Sequence, residues 1–216
     1  MADTPVPPLY RPAAYQAADA VKIVHDHPFA LLMSPQMHAT FTPIVFEFDD
    51  RSDVMVGHMA GRNAHAMSLQ TGDQALAVFA GPHAYISPRW YVEKPSVPTW
   101  NYVSAHVRGT LEVVTDDAAQ LAILRRSIDL MEAGFDTPWS IDDAPEGKVD
   151  QLLPLIRSFR LHVETIEGVT KLSQTHPSGD RARIISGLKA DPSSDLADHM
   201  INIENEKPSV ILNSKL

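Results

Sequence analysis

The segment GHMAGRNAH, from Gly57 to His65, carries side chains that suit an anion. A short apolar run precedes it and helix-forming residues follow, so the chain is predicted to pass from a strand through a glycine into a helix. Backbone N–H groups at the helix start, the guanidinium of Arg62 and the amide of Asn63 would then converge. This arrangement indicates a phosphate site, although an arginine beside a helix start is also consistent with an ordinary structural cap.

A second segment, VPTWNYVSAHVRGTLEVV at 97–114, is predicted to be a strand with two different faces. One face is apolar and typical of a core, with Val103, Ala105, Val107, Leu111 and Val113. The other face carries Trp100, Tyr102, Ser104, His106, Arg108, Thr110 and Glu112. Because a solvated face rarely holds two large aromatic residues, we expect a ligand, a partner subunit or a helix of the same chain to cover it.

Other residues with chemical potential give weaker signals. KLSQ, from Lys171 to Gln174, groups a cation with hydrogen-bonding side chains at the end of the last predicted strand. The ten histidines include the pairs His25 with His27 and His58 with His65, but neither has the spacing of a metal-binding helix, so no metal site is predicted. The sequence also lacks G-x-S-x-G and the glycine-rich phosphate-binding motifs, which disfavours a serine hydrolase or a nucleotide-binding α/β domain.

Composition narrows the function classes further. A chain of 216 residues with 44% hydrophobic residues can form one main domain with a sizeable core. Its formal net charge of −9 argues against broad attraction to DNA or to an anionic membrane. The absence of cysteine excludes disulfides and thiolate chemistry. No membrane-spanning run or signal peptide is recognised, so we expect a cytoplasmic protein with no membrane partner.

Short strands with few intervening helices predict a mainly β fold, an antiparallel barrel with peripheral helices. Strands are predicted at 29–34, 39–48, 53–60, 74–82, 83–91, 97–114 and 160–174, and helices at 16–27, 61–72, 117–134, 147–159, 180–190 and 194–204. The predicted organisation is an N-terminal lead at 1–15, a barrel domain at 16–176 and a C-terminal helical extension at 177–216.

Four segments together resemble one known family. GHMAGRNAH, FAGPHAYISPRWY, VPTWNYVSAHVRG and KLSQ occur in the order and approximate spacing of the PaiB-like family, the FMN-binding negative transcriptional regulators. YRPAAY and ATFTPIVF also resemble its start, so the likeness extends from Tyr10 to Leu188. The resemblance implies a split β-barrel of the type found in pyridoxamine-phosphate oxidases and flavin reductases. It also implies a homodimer with two symmetric FMN sites at its interface.

The resemblance also implies a set of cofactor-binding residues. The position that holds the FMN phosphate matches His58, Arg62 and Asn63, in agreement with the anion site argued above. Further contacts are implied for Thr42 at the isoalloxazine ring or its polar edge, for Trp100 and Asn101 from the partner subunit, and for Lys171, Ser173 and Gln174. One position departs from the family, because Thr175 stands where an asparagine is expected.

Function is less determined than fold. The family implies negative transcriptional regulation, for which a protein partner is easier to reconcile with the acidic charge than direct DNA binding. An FMN-dependent oxidoreductase or flavin reductase is the alternative, and binding of haem or another planar ligand is a third possibility. The aromatic segment at 90–102 could instead pack as an ordinary loop and strand under the helix that starts at Asp117.

Overall fold

The structure is a computed structural model that describes residue 9 and residues 12–49, 53–92, 97–190 and 195–205. Within these residues it contains six strands and six α-helices. The strands are β1 (Phe29–Met33), β2 (Ala39–Phe46), β3 (Val54–Ala60), β4 (Gln74–Ile86), β5 (Thr99–Val114) and β6 (Ile156–Lys171). The helices are α1 (Ala20–Asp26), α2 (Ala64–Ser68), α3 (Asp117–Glu132), α4 (Lys148–Leu152), α5 (Ser178–Lys189) and α6 (Leu196–Asn205).

The strands form a closed barrel in the order β1-β2-β3-β6-β5-β4. Strand β2 pairs antiparallel with β1, where Ala30 lies opposite Thr42, and with β3, where Ile44 lies opposite Gly57. Strand β3 continues antiparallel to β6, and β1 closes onto β4 in the same sense. The mainly β barrel with peripheral helices that the sequence predicts is therefore confirmed.

A glycine allows the largest side chains to fill the barrel. Gly57 on β3 lies opposite Phe159 on β6, which is fully buried. A Cβ at position 57 would lie 2.6 Å from the Phe159 ring and 2.9 Å from the carbonyl oxygen of Pro43. Because such distances are far below van der Waals contact, only glycine permits this packing.

Helix α3 covers the outside of the barrel. The sequence predicts a helix cap at Asp116 or Asp117, and the structure shows it at Asp116, whose carboxylate accepts a hydrogen bond from the Ala119 N–H at 2.8 Å. Helical spacing in the sequence predicts a buried stripe of Leu121, Leu124, Ile128 and Met131, but the buried residues are Gln120, Ile123 and Ser127. The Ser127 hydroxyl tolerates burial because it donates to the Ile123 carbonyl at 3.0 Å. Ile123 packs against Val45, Val56 and Val114.

Two predicted boundaries at prolines are wrong. The strands predicted at 74–82 and 83–91 are one continuous strand, β4, which ends at Ile86 and is followed by a 3-10 turn at Pro88–Trp90. The backbone angle that proline imposes is compatible with an extended chain, so Pro82 remains within the strand. The helix predicted at 147–159 ends at Leu152, and a short 3-10 turn at Leu153–Leu155 leads into β6. Pro154 cannot donate the backbone hydrogen bond that would continue the helix.

Helix α2 and strand β2 also end earlier in the structure than the sequence predicts. Helix α2 is shorter than predicted, and Gly72 lies beyond it in a turn with φ of +96°. Alternation in the strand predicted at 39–48 would turn Phe48 inward, but Phe48 lies past the end of β2 and is 72% exposed. In the described part of the chain, no helix has the length and apolar character that crossing a bilayer requires.

The chain divides into two compact units. The first comprises Met1–Tyr10, Ala17–Ala80 and Ser104–Gly168, and it holds β1 to β3 and α1 to α4. The second comprises Arg11–Gln16, Gly81–Val103 and Val169–Leu216, and it holds α5, α6 and the ends of three strands. The domain boundaries predicted at residues 15 and 176 stay predictions.

A glycine substitution tests the close approach of β5 to β6. A Cβ at position 109 would lie 2.1 Å from the His162 carbonyl oxygen, whereas a Cβ at Gly134 would meet nothing within 4 Å. We expect Gly109→Ala to lower the free energy of unfolding by about 2 kcal/mol or more in urea denaturation, because backbone must move. Gly134→Ala is the control and should stay within about 1 kcal/mol of the parent. Equal stability of the two variants would contradict this packing.

Candidate functional site

The turn between β3 and α2 places Arg62 at the surface. The Gly61 N–H donates to the Leu155 carbonyl at 2.8 Å, and a Cβ at position 61 would lie 3.1 Å from that oxygen. Asn63 begins α2 as its N-cap, accepting a hydrogen bond from the His65 N–H at 3.0 Å through its side-chain oxygen. The turn is therefore fixed on both sides, and the exposed Arg62 lies between these two anchors.

A cleft beside this turn is positively charged. Arg62 and Arg157 both line it, together with Gly61, Val114, Thr115, Gln120, Pro154, Leu155 and Ile156. No carboxylate is among these lining residues, and the Arg62 guanidinium has no hydrogen-bond or ion-pair partner within the described residues. Two guanidinium groups without a counter-charge form an anion-binding surface.

Polar atoms at the cleft lack partners. Arg157 donates to the Leu69 carbonyl at 3.4 Å through one terminal nitrogen, but its buried Nε has no partner among the described residues. Gln120 is only 6% exposed, and its side-chain oxygen is likewise unpaired there. Buried polar atoms of this kind are rare in folded proteins and often mark a ligand or an ordered water. Sequence reasoning missed Arg157 because it assigned this segment to a helix.

A hydrogen-bonded network supports the turn from beneath. The Thr40 hydroxyl lies 3.2 Å from the Asn63 amide nitrogen and 3.0 Å from His65 Nδ1. His38 Nδ1 lies 2.9 Å from the Ser68 hydroxyl, which donates to the His65 carbonyl at 2.8 Å. Burial, and to a smaller extent nearby His38, lowers the pKa of His65. The structure therefore gives the Asn63 side chain a capping and bracing role, and the helix-start N–H of His65 is already used.

Thr42 and His58 lie on adjacent strands behind the turn. Thr42 is 3% exposed, and its hydroxyl donates to the His58 carbonyl, so its proton is committed within the barrel. His58 is half-buried, its Nδ1 has no partner among the described residues, and burial lowers its pKa. Burial therefore favours the neutral form of the His58 imidazole, and its Nδ1 is buried as well as unpaired. The predicted contact of Thr42 with the isoalloxazine ring stays a prediction.

In the second unit, Trp100 presents a flat aromatic surface. Trp100 is 48% exposed and stacks on His83 with ring centroids 5.8 Å apart, while Tyr85 lies 6.2 Å away at a tilt. Strand β5 shows the alternation that its sequence predicts, since Val103, Ala105, Val107 and Leu111 are buried. Val113 is only partly buried. The outward position of Trp100 is therefore confirmed.

Asn101 lies on the opposite, buried side of β5. It is 0% exposed, and its amide nitrogen donates to the Ser173 hydroxyl at 2.9 Å. Ser173 is itself 2% exposed and has a positive φ of 57°. Because neighbouring residues of a strand point in opposite directions, Trp100 and Asn101 cannot present their side chains to the same face.

The remaining predicted residues of this unit have mixed roles. The Gln174 amide donates to the carbonyls of Ala14 at 2.8 Å and Thr170 at 2.6 Å, and its oxygen accepts from the Leu172 N–H at 2.7 Å. These bonds give Gln174 a structural role. Lys171 donates to the Thr99 hydroxyl at 2.7 Å, and among the described residues no carboxylate pairs with it.

The structure thus sorts the predicted site residues into two groups. The first unit holds Thr42, His58, Arg62 and Asn63, and the second holds Trp100, Asn101, Lys171, Ser173 and Gln174. Arg62, Trp100 and Lys171 have groups available to a ligand, and His58 has an unpaired ring nitrogen that is buried. The others are engaged by the bonds described above. Among the described residues, no group of three His, Asp or Glu side chains is placed to hold a metal ion.

Comparison with known proteins identifies the family to which this chain is similar. Residues 9–165 match the family model described as "Putative FMN-binding domain". Among curated relatives, the "Protease synthase and sporulation protein PAI 2" of Bacillus subtilis is 29% identical over 189 residues, which is 84% of this chain and 89% of that protein. An uncharacterised protein of Emericella nidulans is 28% identical over 229 residues, 86% of this chain and 91% of its own.

Solved structures share the fold. The flavocytochrome Anf3 of Azotobacter vinelandii superimposes with a TM-score of 0.55 at 15% identity, over 77% of this chain and 73% of that one. A conserved hypothetical protein of Mycobacterium tuberculosis gives a TM-score of 0.53 at 12% identity, over 77% and 93% of the two chains. At these identities the likeness concerns the barrel fold alone.

The buried state of His65 predicts a pH dependence of stability. The folded pKa of His65 is lowered from its ordinary value of 6.5, so in mildly acidic solution the unfolded chain binds a proton that the folded chain does not. The free energy of unfolding should therefore fall between about pH 7.5 and about pH 5.5 in urea denaturation. His65→Asn should reduce this slope, while the exposed His25→Asn should retain it. An unchanged slope in His65→Asn would argue against a neutral buried imidazole.

Proposed function

This chain belongs to the FMN-binding domain family, and we propose that it is a homodimeric FMN-binding protein that acts in negative transcriptional regulation. Membership confirms FMN, the cofactor predicted from the sequence, and the split-barrel fold class is confirmed with it. The location of the cofactor, the dimer and the regulatory role are the proposed parts.

The cleft at the β3–α2 turn fits the phosphate of FMN. A phosphomonoester carries between one and two negative charges near neutral pH and accepts several charge-assisted hydrogen bonds. Arg62 and Arg157 line the cleft with no carboxylate among their neighbours in its wall. This uncompensated positive charge in an acidic chain is the observation that carries the proposal. In it, Arg62 binds the phosphate, Arg157 adds a second cation, and Asn63 holds the turn in place.

The flavin ring requires a flat apolar contact. Trp100 supplies such a surface, half exposed and braced by His83 and Tyr85. Bound FMN supplies hydride or electron transfer, while the protein binds and orients it. We propose that Trp100 is contributed by the other subunit of the dimer and packs against the ring, and that His58 contributes from the strand that precedes the turn. Contacts from Thr42, Asn101, Lys171, Ser173 and Gln174 remain predictions of the family resemblance.

Exposed aromatic residues support a homodimer. Phe29 and Phe41 lie on adjacent strands with their rings stacked 5.5 Å apart, yet they are 61% and 58% exposed. Met67 is 63% exposed in the same unit. Contiguous exposed apolar side chains usually mark an interaction surface, and a twofold dimer is the commonest way to cover one. The family resemblance implies that residues of both subunits line each FMN site.

Regulation through a protein partner agrees best with the charge. The Bacillus subtilis relative carries a name that refers to protease synthesis and sporulation, which suggests a regulatory process. A net charge of −9 disfavours direct binding to DNA phosphates. On α5, Arg181 is 6% exposed and so does not form part of a basic surface. The proposed regulator therefore acts on another protein.

An FMN-dependent oxidoreductase or flavin reductase is the second candidate. It is favoured by a cleft in the second unit that is lined by Tyr91 and Lys171 and is large enough for a small organic molecule. Anaerobic bleaching of the flavin absorption by NADH or NADPH at a catalytic rate would favour this candidate over a purely regulatory protein. Absence of such reduction would leave regulation as the better account.

Removing the Arg62 charge should weaken FMN binding. A hydrogen bond to a charged group is worth about 1.5–3 kcal/mol, so Arg62→Ala should raise the dissociation constant for FMN by about 10- to 100-fold. Quenching of flavin fluorescence on titration measures this constant. Arg183→Ala, which removes an exposed arginine from α5, is the control and should bind FMN as the parent does. Unchanged affinity in Arg62→Ala would refute the phosphate site.

The mass of the protein in solution tests the dimer. Light scattering on a sizing column should give twice the chain mass for the parent. Phe41→Glu should shift the protein towards the monomer, because a charge would replace an apolar contact in the interface. Phe48→Glu, a change at another exposed phenylalanine beyond the end of β2, should remain a dimer. A monomeric parent protein would contradict the proposal.

A further inference from the structure

A cleft within the second unit has ligand-binding features that the phosphate site does not explain. It has a volume of about 400 Å³, within the range of small-molecule sites, and three rings line it: Tyr15, Tyr91 and His176. Lys171 and Asp180 bring one positive and one negative group to the same walls. We propose that this cleft binds a small aromatic monocarboxylic acid that also carries a hydrogen-bond donor, and that Lys171 binds this acid rather than FMN.

The unpaired charge of Lys171 is the reason to expect a carboxylate on the ligand. Its ammonium donates to the Thr99 hydroxyl at 2.7 Å and lies 5.9 Å from the centre of the Tyr15 ring. Neither contact neutralises its charge, and no carboxylate pairs with it among the described residues. An ammonium has three donors, so Lys171 can bind a carboxylate while keeping its bond to Thr99.

The aromatic rings that line the cleft are the reason to expect an aromatic ligand. Tyr91 and His176 are stacked nearly parallel, with centroids 5.1 Å apart and an interplanar angle of 14°. Tyr15 presents a third ring, which already interacts with the Lys171 ammonium. A wall of this composition favours a planar ligand through dispersion and stacking.

The Tyr91 hydroxyl is a hydrogen-bond donor that no described residue of the protein uses. Its side chain is 4% exposed, yet its hydroxyl has no partner among the described residues. Burial first, and then the negative charge of Asp180, raises the pKa of Tyr91, which keeps the phenol neutral and able to donate. His176 Nδ1, in the stacked ring, is unpaired in the same way. Two such atoms beside one cleft indicate a polar occupant.

Asp180 restricts the charge of the ligand. It is 4% exposed, and one of its oxygens accepts a hydrogen bond from the Val92 N–H at 2.6 Å. A buried carboxylate in the cleft wall opposes a phosphate or a dicarboxylate, because like charges at short distance repel strongly in a medium of low dielectric constant. An amine or hydroxyl substituent on the ligand would instead donate to the second oxygen of Asp180.

The test uses 4-aminobenzoate and its neutral analogue 4-aminobenzamide as probes, titrated calorimetrically into the full chain with and without FMN. We expect the acid to bind at least about tenfold more tightly than the amide, because only the acid makes a charge-assisted bond to Lys171. Lys171→Met should abolish this preference. Tyr91→Phe, which keeps the ring and its packing, should weaken binding of the acid by about tenfold.

Arg62→Ala separates this site from the FMN phosphate. It should weaken FMN binding and leave the affinity for 4-aminobenzoate unchanged, so that failure of one proposal does not imply failure of the other. Equal affinity for the acid and the amide, or no effect of Lys171→Met and Tyr91→Phe on acid binding, would overturn the proposal. Displacement of the acid by saturating FMN would show that the cofactor itself occupies the cleft, and would overturn it too.

Discussion

The hydrogen bond from the Gly61 N–H to the Leu155 carbonyl fixes where the turn that carries Arg62 leaves the barrel. It lies one residue beyond the last paired position of β3 and β6, where Ala60 faces Ile156. It therefore continues the sheet into the turn, and a side chain at position 61 would crowd the Leu155 carbonyl. Because Asn63 then caps α2, the backbone of Arg62 is held between two hydrogen-bonded residues beside the cleft.

Positive charge is concentrated at the cleft beside Arg62, although the chain as a whole is acidic. The protein carries a net charge of −9, and several of its arginines are paired, such as Arg108 with Glu167 and Arg160 with Glu47. Arg62 and Arg157 face the cleft without such partners in its wall. An acidic chain that leaves two guanidinium groups uncompensated at one place offers a local site for an anionic cofactor while disfavouring nucleic acid elsewhere.

Local patterns predicted much of the fold. The alternation in β5 predicts its buried and exposed sides, and the Asp116 cap of α3 follows from residue type and position. Errors arose where distant contacts override local preference. From the sequence, Pro82 and Pro154 each predict the interruption of an element. In the structure, Pro82 lies within strand β4, whereas Pro154 lies in the 3-10 turn that follows helix α4.

The candidate site was predictable only in part, for the same reason. Arg62 and Trp100 lie on surfaces that spacing predicts, and both have groups available to a ligand. Asn101 lies in the same motif as Trp100, and Gln174 lies in KLSQ. The Asn101 amide is nevertheless engaged by Ser173 and the Gln174 amide by the carbonyl of Ala14, which are both far away in sequence. Arg157 could not be recognised without knowing that β6 begins at Ile156 and pairs with β3. Which polar groups remain available is decided by tertiary hydrogen bonding.

The most direct measurement is a comparison of FMN with riboflavin, which has the same ring system but no phosphate, by titration of the apoprotein. If the cleft at Arg62 holds the phosphate through charge-assisted hydrogen bonds, FMN should bind at least about 100-fold more tightly than riboflavin, and rising salt should narrow the difference. Equal affinity for the two flavins would contradict the account, since the phosphate would then contribute nothing to binding.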